Sequence, residues 1–146
     1  MAVTGRRGDP YAAFRFRVEI EGLVVGGFTD VAGLDMEIEV TAIREGGVNG
    51  FEHLLPGPAR YPSRLTLRRG LTDGDGFWRW CRNAARGTVE RRNGSIVLLD
   101  EGGADAWRWN FVDAFPVRWS GPSLSAHAAW VAMESVELVH RGLTKG

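Results

Sequence analysis

The sequence holds a single cysteine, Cys81, among its 146 residues. One thiol excludes an internal disulfide and a metal site built from several thiolates. No stretch approaches the roughly 18 consecutive apolar residues that a membrane-spanning helix requires, so we expect no membrane insertion. No apolar segment follows Arg6 and Arg7. We therefore expect no secretory signal and predict that the protein is synthesised in the cytoplasm.

An excess of charge of one sign is also missing. The 18 Lys and Arg residues balance the 18 Asp and Glu residues, and the formal net charge is zero. Proteins that bind nucleic acids owe much of their affinity to phosphate contacts from a basic surface. The composition therefore argues against that class of protein.

Groups of residues with catalytic or metal-binding spacing are absent too. His53, His127 and His140 do not have metal-ligand spacing to one another or to Cys81. Residues 73–76 resemble the start of a calcium loop, but no glutamate stands at its twelfth position. No Gly-x-Ser-x-Gly element occurs, and no acid–base pair can be nominated. We expect no catalytic residue, no metal and no cofactor, and we predict that the protein is not an enzyme.

Alternation of apolar and polar side chains predicts most of the fold. Residues 14–21 and 36–42 alternate, which is typical of strands with one buried and one solvent-exposed face. Asn93-Gly94 predicts a tight hairpin turn between two further strands. Additional strands are predicted over residues 61–69, 107–111, 115–120 and 127–140.

One helix is predicted after Thr72 or Asp73, either of which can cap it, and Gly87 is expected to end it. Its apolar residues recur at helical spacing and form one stripe: Phe77, Trp80, Cys81 and Ala84. The pattern as a whole predicts one mainly-β domain over residues 1–146, a β-sandwich or incomplete barrel with one α-helix against it.

Two segments are predicted to contact partners. Residues 44–60 contain four Gly and two Pro, which predicts a long functional loop, a disordered segment or a hairpin tip. Its apolar residues Phe51, Leu54 and Leu55 are contact candidates. Residues 127–140 are apolar on both strand faces, which predicts burial by a second layer or a neighbouring subunit. The contact candidates in that segment are Trp130, Val131 and Met133. Residues 1–10 are predicted to form a mobile arm.

Several motifs, taken in order, resemble the contractile-phage tail-tube family. They are residues 9–11, 14–20, 27–34, 43–47, 54–57, 67–73 followed by 77–78, 91–100, 109–111, 114–122 and 134–143. The likeness is greatest to the inner tube proteins of phage-like extracellular contractile injection systems, which are also similar to the tube protein of type VI secretion. Gly74-Asp75-Gly76 departs from the family pattern and weakens the first helical turn.

The resemblance implies a protomer of two antiparallel sheets and one helix. Six copies would close a ring around a central channel, and the rings would stack inside a contractile sheath and join baseplate or hub proteins. The cargo would be a protein effector or, in a phage, DNA. Polar strand residues would then either line a water-filled lumen or form salt bridges between subunits, and both alternatives remain open. These residues are Arg15, Arg17, Glu19, Glu37 and Glu39.

Three other interpretations are compatible with the sequence. The chain could be a tube-initiating or hub-adaptor paralogue of the same machine. Six Trp residues also suit a β-sandwich module that stacks glycans on exposed rings. The last interpretation is a hydrolase, for which the sequence offers neither a catalytic triad nor a set of metal ligands.

Overall fold

The computed structural model describes residues 10–13, 15–23, 26–44 and 52–146. The predicted arm therefore lies almost entirely outside the described residues, as does Phe51. Within them the elements follow in this order: β1 (Phe16–Ile20), β2 (Phe28–Ala32), β3 (Glu37–Ile43), β4 (His53–Arg60), β5 (Leu65–Gly70), α1 (Gly76–Ala85), β6 (Arg92–Leu99), β7 (Asp105–Ser120), β8 (Met133–Val139) and β9 (Gly142–Lys145).

Two antiparallel sheets form the body of the protein. The first sheet contains β1, β6, the first half of β7, and β9. The second contains β2, β5, β8 and the second half of β7. The prediction of a mainly-β protein with two antiparallel sheets and one helix is confirmed. The two strands predicted over residues 107–111 and 115–120 are instead one strand, β7, which passes from one sheet to the other. Its bend contains Asp113, whose φ is +52°.

The core lies between the sheets and under α1. Phe77 and Trp80, two residues of the predicted helical stripe, are 0% and 2% exposed. Burial of one large apolar side chain stabilises the folded state by about 1.5–3 kcal/mol. Gly87 ends the helix with φ +95°, as predicted. The N-cap residue is Asp75 and makes no capping hydrogen bond, so the predicted caps at Thr72 and Asp73 were wrong.

A buried ion pair crosses from β5 to β8. Arg69 Nε donates to Glu134 Oε2 at 3.0 Å, and these side chains are only 4% and 2% exposed. Trp119 Nε1 donates to the other Glu134 oxygen at 3.0 Å. Arg69 also donates to the Gly74 carbonyl at 3.2 Å, and its guanidinium lies 4.8 Å from the centre of the Phe77 ring. The pair thus joins the two strands to the start of α1.

The predicted turn at Asn93-Gly94 was wrong, because both residues belong to β6. A Cβ atom on Gly94 would lie 2.6 Å from the Glu19 carbonyl oxygen and 2.8 Å from Phe111 Cε2. The glycine therefore permits β1 and the Phe111 ring to approach the backbone closely. Asn93 Oδ1 accepts a hydrogen bond from the backbone N–H of Asp113 at 3.0 Å.

The strand predicted over residues 127–140 was too long, and within the single chain only one of its faces is fully buried. Strand β8 begins at Met133, because the chain turns at residues 125–128, where Ala128 N–H donates to the Ser125 carbonyl. Trp130 Nε1 then donates to the Ser123 carbonyl at 3.1 Å and holds the preceding segment folded back. Within β8 one face is buried and the other is half-buried.

The loop predicted over residues 44–60 was wrong for its second half, since residues 53–60 form β4. Strands β3 and β4 pair in an antiparallel arrangement, and residues 45–51, on which the rest of the prediction falls, lie outside the described residues. Pro56 lies opposite Val40, next to an irregularity in the pairing between Ile38 and Val40. A two-stranded sheet tolerates proline because each strand has an edge without ladder hydrogen bonds.

Candidate assembly surfaces

The outward face of the first sheet carries four charged residues that pair with one another. Strand β1 contributes Arg17 and Glu19, which form an ion pair at 2.8 Å, and β7 contributes Asp105 and Arg108, which pair at 3.2 Å. Across the sheet Arg17 lies 3.1 Å from Asp105, and Arg108 lies 3.0 Å from Glu19. Each guanidinium thus contacts both carboxylates. We call this group the charge quartet.

Val97 shows how closely the charge quartet covers the sheet. It lies on β6 between Arg17 and Arg108 in the strand register. It is 0% exposed, although it lies outside the cluster of residues between the sheets. An arginine can cover apolar surface with its stem while its charged end stays in water, which accounts for the burial of Val97 between the two. The next row of the same face is also polar: Ser95 donates to Asn110 Oδ1 at 2.6 Å.

Hydrogen bonds within the charge quartet shift its titration. Those from Arg108 and then Arg17 lower the pKa of Glu19, and the one from Arg17 is the largest cause that lowers the pKa of Asp105. The same bonds raise the pKa of both arginines. All four groups are therefore charged at neutral pH, and the face has two positive and two negative charges. Because they are solvent-exposed, each pair adds little to the free energy of folding.

The first sheet is open at both sides. Among the described residues β1 pairs only with β6, and β9 pairs only with β7. Each of these outer strands therefore has one edge that makes no ladder with the residues that the structure describes, apart from a single bridge between Ile20 and Leu23. Unpaired edges of this kind are templates for pairing with another strand.

The β3–β4 hairpin forms a two-stranded sheet of its own. Both strands are exposed along nearly their whole length, and the large apolar side chains left in water are Met36, Ile38, Val40, Ile43, Leu54 and Leu55. Arg60 donates to Glu39 across the hairpin at 2.8 Å. An isolated two-stranded hairpin is marginally stable in water, so this element is expected to gain stability from a partner.

An open groove lies on the outward face of the second sheet. Its volume is about 820 Å³, and Asp30, Thr66 and Arg68 form part of its wall. Trp130 and Val131 also line it, and their side chains are 61% and 71% exposed. Met133 and Glu134 of β8 also line it. We call it the Trp130 groove.

The structure separates the predicted site residues that it describes into four places. Arg17 and Glu19 meet in the charge quartet, whereas Arg15 donates separately to the Glu101 carbonyl at 2.8 Å. The hairpin carries Glu37, Glu39, Leu54 and Leu55. The Trp130 groove brings together Trp130, Val131 and Met133.

Sequence reasoning missed half of the charge quartet, Asp105 and Arg108. The available signal was Arg108 itself, which alternates outward between Trp107 and Trp109 in the sequence. Ile38 and Val40 were expected on a buried face, yet they are 54% and 59% exposed.

Other chemistry has little support in the part of the chain that the structure describes. There, no group of three or more His, Cys, Asp or Glu side chains can hold a metal ion. No helix in those ranges has the length and apolar character needed to cross a bilayer. The exposed Trp78 ring packs edge-on against Trp119 at 5.0 Å, and Lys145 lies 4.3 Å from the centre of the Trp107 ring. Burial raises the pKa of the Cys81 thiol, which makes it less reactive.

The fold and its open edges define a class of small mainly-β proteins made of two antiparallel sheets with one helix, and solved structures share this fold. A chain of the anti-feeding prophage (AFP) baseplate, determined with 6-fold symmetry, is 26% identical with a TM-score of 0.81, over 94% of this chain and 96% of that one. A chain of the sheath/tube terminator of the PVC extracellular contractile injection system is 25% identical with a TM-score of 0.81, over 94% and 97%. A type six secretion system protein is 12% identical with a TM-score of 0.57, over 90% and 83%, and shows the same fold.

The chain belongs to the family of the T4-like virus tail tube protein gp19, which matches residues 12–144. The resemblance recognised in the sequence is therefore confirmed over almost the whole chain. Among curated protein sequences, none matches this one.

Proposed function

We propose that this protein is the main subunit of the inner tube of a contractile injection particle. Six copies would close each ring, and the rings would stack into a tube with a central channel. The observation that carries the proposal is the first sheet: it has a free edge at β1, a free edge at β9, and a polar outward face. Pairing β1 of one copy with β9 of the next would satisfy both edges and produce a closed ring.

Ring closure by these edges gives the charge quartet a role. The face with Arg17, Glu19, Asp105 and Arg108 would line the channel, because the other face of the same sheet is covered by the core. Each charge of the quartet is already paired within the subunit. A passing cargo would therefore meet a hydrated surface of zero net charge, which binds neither polyanions nor polycations strongly. The cargo would be a protein effector or, in a phage, DNA.

The other parts of the proposal follow from the family. The tube would lie inside a contractile sheath and meet a baseplate, because similar chains belong to the AFP baseplate and to the PVC sheath/tube terminator. The sixfold symmetry of the AFP baseplate supports a hexameric ring. The role is structural, with no catalysis and no cofactor, and the protein would be made and assembled in the cytoplasm before it becomes part of the particle.

Electron microscopy of the purified full chain, together with light scattering across a concentration series, tests this function. We expect rings with a central hole and, at high concentration, stacked tubes. A variant that ends at Arg141 lacks β9 and should remain monomeric, with circular dichroism reporting whether its fold is retained. A wild-type protein that stays monomeric at every concentration and ionic strength would contradict the proposal.

A second candidate is a minor tube paralogue that starts the tube on the baseplate. The similarity to a chain of the AFP baseplate favours it. Counting subunits in purified particles by quantitative mass spectrometry separates the two roles, since a main subunit is present in many rings and an initiator in one.

A further inference from the structure

A cluster of polar side chains lies where the β3–β4 hairpin joins the two sheets. Asp35 comes two residues before β3, and Tyr61 and Ser63 follow β4. His140 lies between β8 and β9, in the body of the protein. Its ring centre is 5.2 Å from that of Tyr61 and 6.5 Å from that of Phe111 in β7. We call Asp35, Tyr61, Ser63 and His140 the root cluster.

Polar atoms of the root cluster are shielded from solvent and lack hydrogen-bond partners. Ser63 Oγ donates to Asp35 Oδ2. The other carboxylate oxygen, Asp35 Oδ1, makes no hydrogen bond with any residue that the structure describes, and neither ring nitrogen of His140 makes one. A neutral imidazole has one N–H donor and an imidazolium has two. Protonation of His140 would therefore add a charge and a second unpaired donor to a shielded site, which destabilises that arrangement.

The electrostatic surroundings of His140 favour its neutral form. Burial lowers the pKa of His140, and the opposing effects of the Gly142 backbone and the Asp35 carboxylate are smaller. From β7 it meets only the uncharged Phe111 ring. The arginines next to His140 and Ser63 in the sequence have ion-pair partners of their own: Arg141 with Asp113 at 2.7 Å and Arg64 with Glu137 at 3.2 Å.

The lowered pKa fixes the direction of the pH effect. An unfolded chain binds the proton at the ordinary histidine pKa of about 6.5. The folded chain binds it only at lower pH, so the contribution of His140 to stability is complete above about pH 6.5. That contribution is lost as the pH falls through the folded-state pKa.

We infer that His140 makes the root of the β3–β4 hairpin an acid-sensitive hinge. Uptake of a proton would move the charged ring away from the Tyr61 and Phe111 rings and loosen the attachment of the hairpin. Strands β3 and β4 pair only with each other among the described residues, so the connections at residues 33–36 and 61–64 hold the hairpin to the body. The hinge belongs to the single chain and does not rest on the proposed function.

Hydrogen–deuterium exchange at the histidine ring carbon, read by mass spectrometry on the full chain, tests the titration. The midpoint for His140 should lie below that of the same residue in the urea-unfolded chain. Asp35→Asn removes the facing negative charge and keeps an oxygen for Ser63, so it should lower the midpoint further. A folded-state midpoint at or above the unfolded one, or one that Asp35→Asn leaves in place, would overturn the inference.

Backbone amide exchange tests the loosening itself. After correction for the intrinsic effect of pH, protection in peptides covering residues 33–36 and 61–64 should fall by about tenfold between pH 7 and pH 5. Protection in β5 should stay unchanged. His140→Gln should abolish the fall, whereas the control His127→Gln, which replaces an exposed histidine outside the root cluster, should retain it.

Three results of the amide exchange would each refute the hinge. They are an equal fall in His140→Gln and wild type, no fall in wild type, and a loss of protection in β5 that accompanies the fall. Asp35→Asn provides an independent measurement, because it should move the fall to lower pH. A fall at unchanged pH in that variant would refute the hinge as well.

Discussion

Removal of one partner from the buried Arg69–Glu134 pair should destabilise the protein severely. In Glu134→Ala the Arg69 guanidinium would stay buried without its carboxylate, and Trp119 Nε1 would lose its acceptor. Loss of one partner from such a pair costs about 3–5 kcal/mol. For a chain of this length that corresponds to a fall in melting temperature of roughly 6–20 °C.

A double-mutant cycle of Arg69→Met and Glu134→Leu, with both single variants measured beside the double one, separates the pair from its surroundings. Arg69→Met should also be costly, since it leaves Glu134 charged and buried. The double variant Arg69→Met/Glu134→Leu should be more stable than either single variant, because no isolated charge remains. Urea unfolding followed by tryptophan fluorescence, at concentrations below assembly, gives the free energy of unfolding for each variant.

An exposed pair in the same sheet provides the control. Arg64 and Glu137 lie 3.2 Å apart, and their side chains are 51% and 23% exposed, so Arg64→Met should cost at most about 1 kcal/mol. If Glu134→Ala cost no more than Arg64→Met, or if the double variant were as unstable as the sum of the two single variants, the argument from burial would be refuted.

Three further predictions concern other parts of the molecule. Gly94→Ala should lower the free energy of unfolding in urea by about 1–3 kcal/mol, because the added methyl group would lie 2.6 Å from a carbonyl oxygen. The control Gly26→Ala, where a Cβ meets nothing within 4 Å, should leave that free energy unchanged. Equal losses of stability in the two variants would contradict the packing argument. The lowered pKa values of Glu19 and Asp105 imply stability that is present above about pH 4 and lost as the pH falls through the folded-state values. Melting curves of a Glu19→Gln/Asp105→Asn variant should therefore fall less steeply between pH 5 and pH 2 than those of wild type, and parallel curves would exclude the quartet as the cause. Cys81, whose pKa is raised by burial, should react with iodoacetamide at pH 8 more slowly than a free thiol, and reaction at the free-thiol rate would contradict its packing.

Periodic patterns predicted the parts of the fold that the core alone determines. Strand β1 alternates because Val18 and Ile20 are buried and Arg17 and Glu19 are not. The helical stripe predicted the burial of Phe77 and Trp80. In both cases one face packs on the core and the other is exposed to water. The spacing of apolar residues in the sequence therefore matches the geometry of the strand or helix.

The same patterns failed where burial did not follow from the single chain. Strand β3 alternates as well, yet Ile38 and Val40 are exposed, because among the described residues β3 pairs only with β4. Local turn chemistry misled at Gly94, which serves close packing against Phe111 instead of a turn. The charge quartet joins residues about 90 positions apart, such as Glu19 and Arg108, and no local pattern links them.

Strand β7 has a mechanical consequence. Its 16 residues run without interruption through both sheets and bend near Asp113, so neither sheet can slide along the other without stretching a covalent backbone. In an assembled filament, a push delivered to the outer layer would travel along this strand to the layer beside the bore. The subunit would then transmit thrust as one stiff body, which is what a piercing rod requires of its parts.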